Sequence, residues 1–235
     1  MYDTLEEINN ILQRKAIVFN TGGFQPKNEL WESWIGKVAW QKQDESQPLN
    51  KDGKPLVPLA TLFLDGSDYV PLCIRDKKLI TVFVDMEFYN NLNSSTLQDY
   101  FVIRTYQDVK ELVPCNYTSN EITPFPLSNQ YTISECPQWE DIEELGEDVY
   151  DAILKIEEES GCDYYDYIFI ENNAKHKIGG WPSSIQGGVG FDDGFEYAFQ
   201  ISSDEKAGMN IVDNGNFYFA YNKDTNKWCV RCDFY

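Results

Sequence analysis

The run His176-Lys-Ile-Gly-Gly-Trp-Pro-Ser-Ser-Ile-Gln-Gly187 holds the only histidine of the chain, a glycine pair, a tryptophan set against a proline, and a glutamine. Gly179 and Gly180 open backbone angles closed to other residues, while Pro182 fixes its own φ and biases Trp181 towards an extended shape. The chain itself therefore specifies a bend here. Downstream of the bend, four short strands are expected: Glu196–Ser202, Gly208–Val212, Phe217–Asn222 and Lys227–Phe234. Gly-Asn and Asp-Thr-Asn separators between the later ones suit an antiparallel meander.

Upstream of the bend, Pro137 opens a helical pattern. Trp139, Ile142, Leu145, Val149, Ile153 and Ile156 recur at steps of three and four, the mark of one buried stripe. Gly146 is a point where the helix can divide, and Gly161 is its stop. Twelve acids lie between Glu140 and Asp166 against one base, Lys155. Tyr164–Ile170 reads as strand or helix, with helix preferred.

Nearer the N-terminus, Asp3-Thr-Leu-Glu6 has capping-box spacing ahead of Leu5, Ile8, Ile11 and Leu12 on one helical face. Strands are expected at Ala16–Phe19, Leu59–Leu64, Val70–Ile74, Lys78–Asp85 and Phe101–Tyr106, and a short helix at Gln107–Leu112. The Pro-spaced run from Val113 to Pro137 is expected to hold at most one strand, Tyr131–Cys136. Ile35-Gly36, followed by Trp40, Gln41 and two strands, echoes Ile178-Gly-Gly-Trp181, followed by Gln186 and two strands. The expectation is an α+β fold of mostly antiparallel sheets with a few helices, one domain over residues 1–235. Its pseudo-repeat halves span 16–112 and 164–235, joined by an acidic helical segment at 138–160.

Composition bounds the function. The 235 residues carry a formal charge of −20, from 19 Lys and Arg against 39 Asp and Glu. That argues against nucleic acid and anionic membranes, both of which call for a basic footprint. A basic protein partner is the class such a charge permits. Mean hydropathy is −0.47, and no run approaches the 18 apolar residues of a membrane span. The N-terminus lacks a basic leader and an apolar core, so a cytoplasmic location is expected, with six cysteines kept as thiols.

Residues His176, Gly179, Gly180, Trp181, Pro182 and Gln186 match, one by one, the hallmark of the bacterial YwqG-like family, which the chain resembles most closely over 175–235. Phe199-Gln-Ile201, Asn216-Phe-Tyr-Phe219, and Trp228 with Cys232 are similar to its later strands. Ile35-Gly36 resembles a Ser-Lys-Ile-Gly-Gly-x-Pro element, with Lys37 in place of the second glycine and the proline missing. The resemblance implies an α+β fold and no established activity. It also implies a genomic setting near polymorphic-toxin loci, where small acidic proteins neutralise toxins.

Other constellations carry less chemistry. A single histidine cannot furnish a two-histidine metal site, and no nucleophile–histidine–acid spacing is readable. Cys229 and Cys232 fall on opposite faces of a strand and cannot share a metal. Gly187-Gly-Val-Gly190 lacks the Lys-Ser/Thr of a phosphate loop, and Asp192-Asp-Gly194 reads as a turn. No cofactor and no metal are expected. The main functional expectation is a non-enzymatic binding protein of immunity type. It would present Glu140, Asp141, Glu143, Glu144, Glu147, Asp148 and Asp151 to a basic toxin partner. The alternative is a small-ligand-binding protein or enzyme. It would use a cleft between the halves, lined by His176, Gly179, Gly180, Trp181, Pro182 and Gln186, with the aromatics Phe191 and Tyr197 beside them.

Overall fold

The computed structural model describes residues 4–92 and 95–235, with the side chain of Glu144 left aside. In chain order the strands are β1 (Arg14–Thr21), β2 (Ser33–Ile35), β3 (Lys37–Lys42), β4 (Val57–Phe63), β5 (Leu79–Val84), β6 (Phe101–Tyr106), β7 (Leu112–Thr118), β8 (Phe125–Glu135), β9 (Lys177–Gly179), β10 (Glu196–Ser202), β11 (Asn216–Asn222) and β12 (Lys227–Asp233). The helices are α1 (Leu5–Leu12), α2 (Trp139–Ile142), α3 (Glu147–Ser160) and α4 (Tyr164–Tyr167). Ten strands form one antiparallel sheet in the order β12-β11-β10-β9-β1-β8-β2-β4-β5-β6, and β3 with β7 makes a separate pair.

The fold is therefore mostly β, which corrects the α+β expectation. The main reason lies in the Pro-spaced run, which holds two strands, β7 and β8, where one at most was expected. Pro114 sits in the two-stranded pair and Pro126 one residue inside the start of β8, places where a missing N–H is tolerated. Three further expectations also fail. Val70–Ile74 is a single 3-10 turn behind Pro71, residues 107–111 are a loop, and Gly208–Val212 is a turn with Val212 at φ 57°. The capping box expected from Asp3 lies partly outside the described residues. The box present joins Thr4 and Glu7, each side chain accepting the other's backbone N–H at 3.2 Å.

The sheet curls into a near-barrel until its two ends meet. Phe101 of β6 packs edge-on against Phe217 and Phe219 of β11, with ring centroids at 5.0 and 5.6 Å. Alternation decides which side chains face that core. On β9–β12, Ile178, Phe199, Ile201, Phe217, Phe219 and Val230 point inward. Their neighbours Lys177, Gln200, Ser202, Asn216, Tyr218 and Asp233 therefore point to the outer face. The helices form a second, smaller core around Ile8, Leu12, Ile142, Val149, Ile153, Tyr164 and Ile168. The expected division at Gly146 is present, at φ 98°, and so is the left-handed stop at Gly161. Tyr164–Ile170 supplies only the one turn of α4.

Candidate functional site

The bend at Gly179-Gly180 and the loop after it cover the polar outer face of β9–β12. Gly180 N–H still donates to Lys15 O of β1 (2.9 Å), but the loop beyond it, residues 181–188, has no backbone partners among the described residues, so its backbone groups turn to side chains. Ser183 N–H donates to Gln200 Oε1 (3.0 Å), and Ser183 O accepts from Tyr218 Oη (2.7 Å) and Asn216 Nδ2 (3.0 Å). Ile185 N–H donates to Asp233 Oδ2 (2.6 Å), and Trp181 Nε1 donates to Leu12 O (2.6 Å). Gln186 Nε2 donates to Phe234 O. Burial, and then Asp233, push the Tyr218 phenol far up, so it stays a neutral donor.

Beneath the loop lies a fully buried ion pair, Lys177 Nζ to Glu135 Oε2 at 2.5 Å. Lys177 also reaches Asn172 Oδ1 and Ser183 Oγ, both at 3.0 Å, while Glu135 Oε1 accepts from Asn173 N–H (2.9 Å) and Nδ2 (2.7 Å). Burial pushes the Lys177 ammonium down to about 8, against the pull of Glu135. Every polar atom of this pair has work to do in fixing the bend, which is how a buried charge pair becomes tolerable. Ser183 Oγ also lies 2.5 Å from Asn172 Oδ1. Sequence reasoning missed this network, because Glu135 stands 42 residues from Lys177 and nothing local links them.

His176 is buried and doubly tied. Its Nδ1 accepts from Ser202 N–H (3.0 Å), which places the ring proton on Nε2, 3.2 Å from Asp204 Oδ2. Burial would raise the Asp204 carboxyl, yet His176, Thr21 and the Ala207 amide together hold it well below the usual carboxylate range. Gly179 and Gly180 take φ 73° and 70°. A Cβ at Gly179 would strike the Tyr69 ring and stand 2.9 Å from Lys15 O. Trp181 is buried under the Arg14 guanidinium, 3.2 Å from its ring centre, and Pro182 is buried beside it. Gln186 is exposed. Phe191 stacks on Tyr197 at 6.4 Å, whereas Trp181 turns to Leu12, so the three aromatic residues do not line one cleft.

A cavity of about 590 Å³ opens where the loop meets the ends of β10 and β11, with Ser183, Ser184, Ser202 and Asn216 among its walls. Neither His176 nor Gln186 lines it. Of the seven acids expected to face a partner, Glu140, Glu143, Glu147, Asp148 and Asp151 are exposed. Asp141 is buried, only 3% exposed, and turns inward, which corrects its place on the surface. Glu144 lies outside the described side chains. Burial also raises the thiols of Cys73 and Cys232 to about 12 and of Cys115 to about 11, leaving them protonated. Among the described residues, no three His, Cys, Asp or Glu side chains gather as metal ligands, and no helix is long and apolar enough to cross a membrane.

No curated protein matches the chain. A family model does match, over residues 33–228, spanning β2 through the second residue of β12 and so including the bend, its buried ion pair and every residue of the cavity's lining except Tyr235. The chain belongs to that family, a domain of unknown function (DUF1963).

Proposed function

We propose that this protein acts by binding, presenting an acidic, aromatic-studded helical face to a basic protein of the toxin class, in the manner of an immunity protein in the cytoplasm. The observation that carries the reading is the exposed surface of the stretch from α3 to Ile170. Leu154, Tyr167 and Ile170 are 40%, 48% and 55% exposed, on the same stretch as the exposed acids Glu147, Asp148, Asp151, Glu158, Glu159, Asp163 and Asp166. Apolar anchors inside a charged rim are the usual anatomy of a protein interface. The negative field would speed encounter and select basic partners. The YwqG-like resemblance supplies the toxin-neutralising setting, and the matching order of strands on either side of β1 and β8 supports a diverged duplication with halves near 16–112 and 164–235.

The test is co-expression with the product of the neighbouring gene. The expected result is a complex at low salt, with an association rate that falls about tenfold or more as salt rises. Tyr167→Ala with Ile170→Ala should weaken it at least ~10-fold at unchanged thermal stability. No complex with that product, nor with any basic protein at low salt, overturns the reading. The alternative of a reactive cleft around His176 and Gln186 loses support, because His176 is buried with both ring nitrogens engaged.

A further inference from the structure

The cavity beside the bend has a chemistry of its own. Its floor is made of buried neutral groups. Asn216 is 3% exposed and directs its Nδ2 to Ser183 O and Tyr218 Oη, and no hydrogen bond from the described residues reaches its Oδ1. Ser202, also 3% exposed, accepts from Gln200 Nε2 at 3.3 Å and keeps its own proton uncommitted among the described residues. Both side chains line the cavity. An acceptor and a donor without protein partners among the described residues, on one wall of the cavity, are open to hydrogen bonds from a ligand or water.

The rim adds Gln138, Asn214 and the phenol of Tyr235, with Ile185 and Met209 as the apolar part of the lining. No lysine or arginine lines the cavity, and Glu205 is its one acidic side chain. An anion would therefore meet no counter-charge in a chain of charge −20, and a cation would find a single acid. Carboxamides and hydroxyls both give and accept hydrogen bonds, which matches groups that do the same. An exposed ring such as Tyr235 offers a flat face to the apolar side of a pyranose. The volume, about 590 Å³, lies within the range of small-molecule sites. The wall is also preorganised, because Ser183 and Ile185 are each held by side chains of the sheet.

We propose that this cavity is a binding site for a neutral polyhydroxyl ligand of the sugar class. The site is separate from the acidic helical face, so either can fail alone. The experiment is an amide and carboxamide NMR titration of the full chain with glucose, galactose, N-acetylglucosamine and their β-1,4-linked disaccharides, with glucose 6-phosphate as the charged control. At least one neutral sugar should give saturable shifts at Ser202, Asn214 and Asn216, with Kd of about 1 mM or tighter. Ser202→Ala should weaken binding about threefold to tenfold. Ala174→Trp, at the exposed rim and outside the hydrogen-bond network, should block binding without lowering the thermal midpoint. Absence of saturable shifts with every sugar overturns the assignment. So do shifts that survive Ala174→Trp, or tighter binding of the phosphate ester than of glucose.

Discussion

Two three-residue strands hold matching places in the sheet: β2 flanks β8, and β9 flanks β1. Each turns an isoleucine, Ile35 or Ile178, into the main core, and each runs into a left-handed glycine, Gly36 at φ 70° or Gly179 at φ 73°. The residue before the isoleucine separates them. In β2 it is Trp34, buried, with the Lys37 ammonium 4.2 Å from its ring centre. In β9 it is Lys177, paired with Glu135. The same sheet position thus accepts an aromatic residue, so strand pairing does not require a buried charge pair. What differs is the segment that follows. After β2 the chain enters β3 and pairs with β7, whereas after β9 only Gly180 N–H still finds a backbone partner, Lys15 O, and the loop beyond it is held by side chains. The ion pair and its neighbours exist to hold that loop.

The largest effect expected from this contrast is at Glu135 and Lys177. Glu135→Leu or Lys177→Met alone leaves a buried charge without its partner and should cost about 3–5 kcal/mol. For a chain of this size that lowers the melting temperature by about 10 °C. The double variant should cost much less than the sum, and calorimetry on the three proteins checks it. Additive losses would mean that the two charges are not coupled.

Next come the glycines. Gly179→Ala must place a methyl group against the Tyr69 ring and 2.9 Å from Lys15 O, while Gly36→Ala meets Ile122 Cγ2 at 2.9 Å. Together with the left-handed φ, each change should cost about 2–4 kcal/mol in urea unfolding, with Gly179→Ala the worse. Equal losses would erase the distinction between the two bends.

Two groups near β9 should set the pH dependence of stability. The Asp204 carboxyl is held below its ordinary range, so its contribution is complete above pH 3.8 and disappears as pH falls through the folded value. Asp204→Asn should flatten the acid limb of the stability curve. Lys177 behaves in the opposite sense to a stabilised base. Its folded value of about 8 lies below the unfolded 10.5, so the unfolded chain binds the extra proton between them. Stability from this group therefore rises as pH climbs from about 8 to 10.5, and Lys177→Met should remove that rise. The smallest effect belongs to the first residue of β3: Lys37→Ala gives up the Trp34 ring and the hydrogen bond to Asn28 Oδ1 (2.7 Å) and should cost only about 1–2 kcal/mol.

Much of the second half was legible in the sequence. Glu196–Ser202 is found as expected, and β11 and β12 differ by one residue each, because alternation and Gly or Asn turns bound them tightly. The bend at Gly179-Gly180 was readable for the same reason: glycine pairs before Trp-Pro leave few conformations. Gly208–Val212 was misread because its apolar residues alternate like a strand but pack as a turn against the core. The helical stripe from Trp139 to Ile156 is visible in the sequence, but its three short pieces are a small part of a molecule built on ten paired strands. Prolines at 114 and 126 masked two strands that use them at tolerated positions. The role of His176 was half legible. Its place in a bend could be read, but its partners Ser202 and Asp204 depend on how β10 lies beside β9. Asp141 could not be told from its acidic neighbours, since one turn of helix carries inward and outward acids with the same composition.

The side-chain hydrogen bonds of the bend hold it as rigidly as the sheet it covers. Native-state hydrogen exchange of the Ser183 and Ile185 amides tests it directly. Both lie outside any strand, yet their N–H groups are bound to Gln200 and Asp233. Protection equal to that of β10 and β11, falling together with them in Lys177→Met, is the result expected. Exchange of Ser183 and Ile185 at the rate of an open loop, while β10 and β11 stay protected, would contradict it.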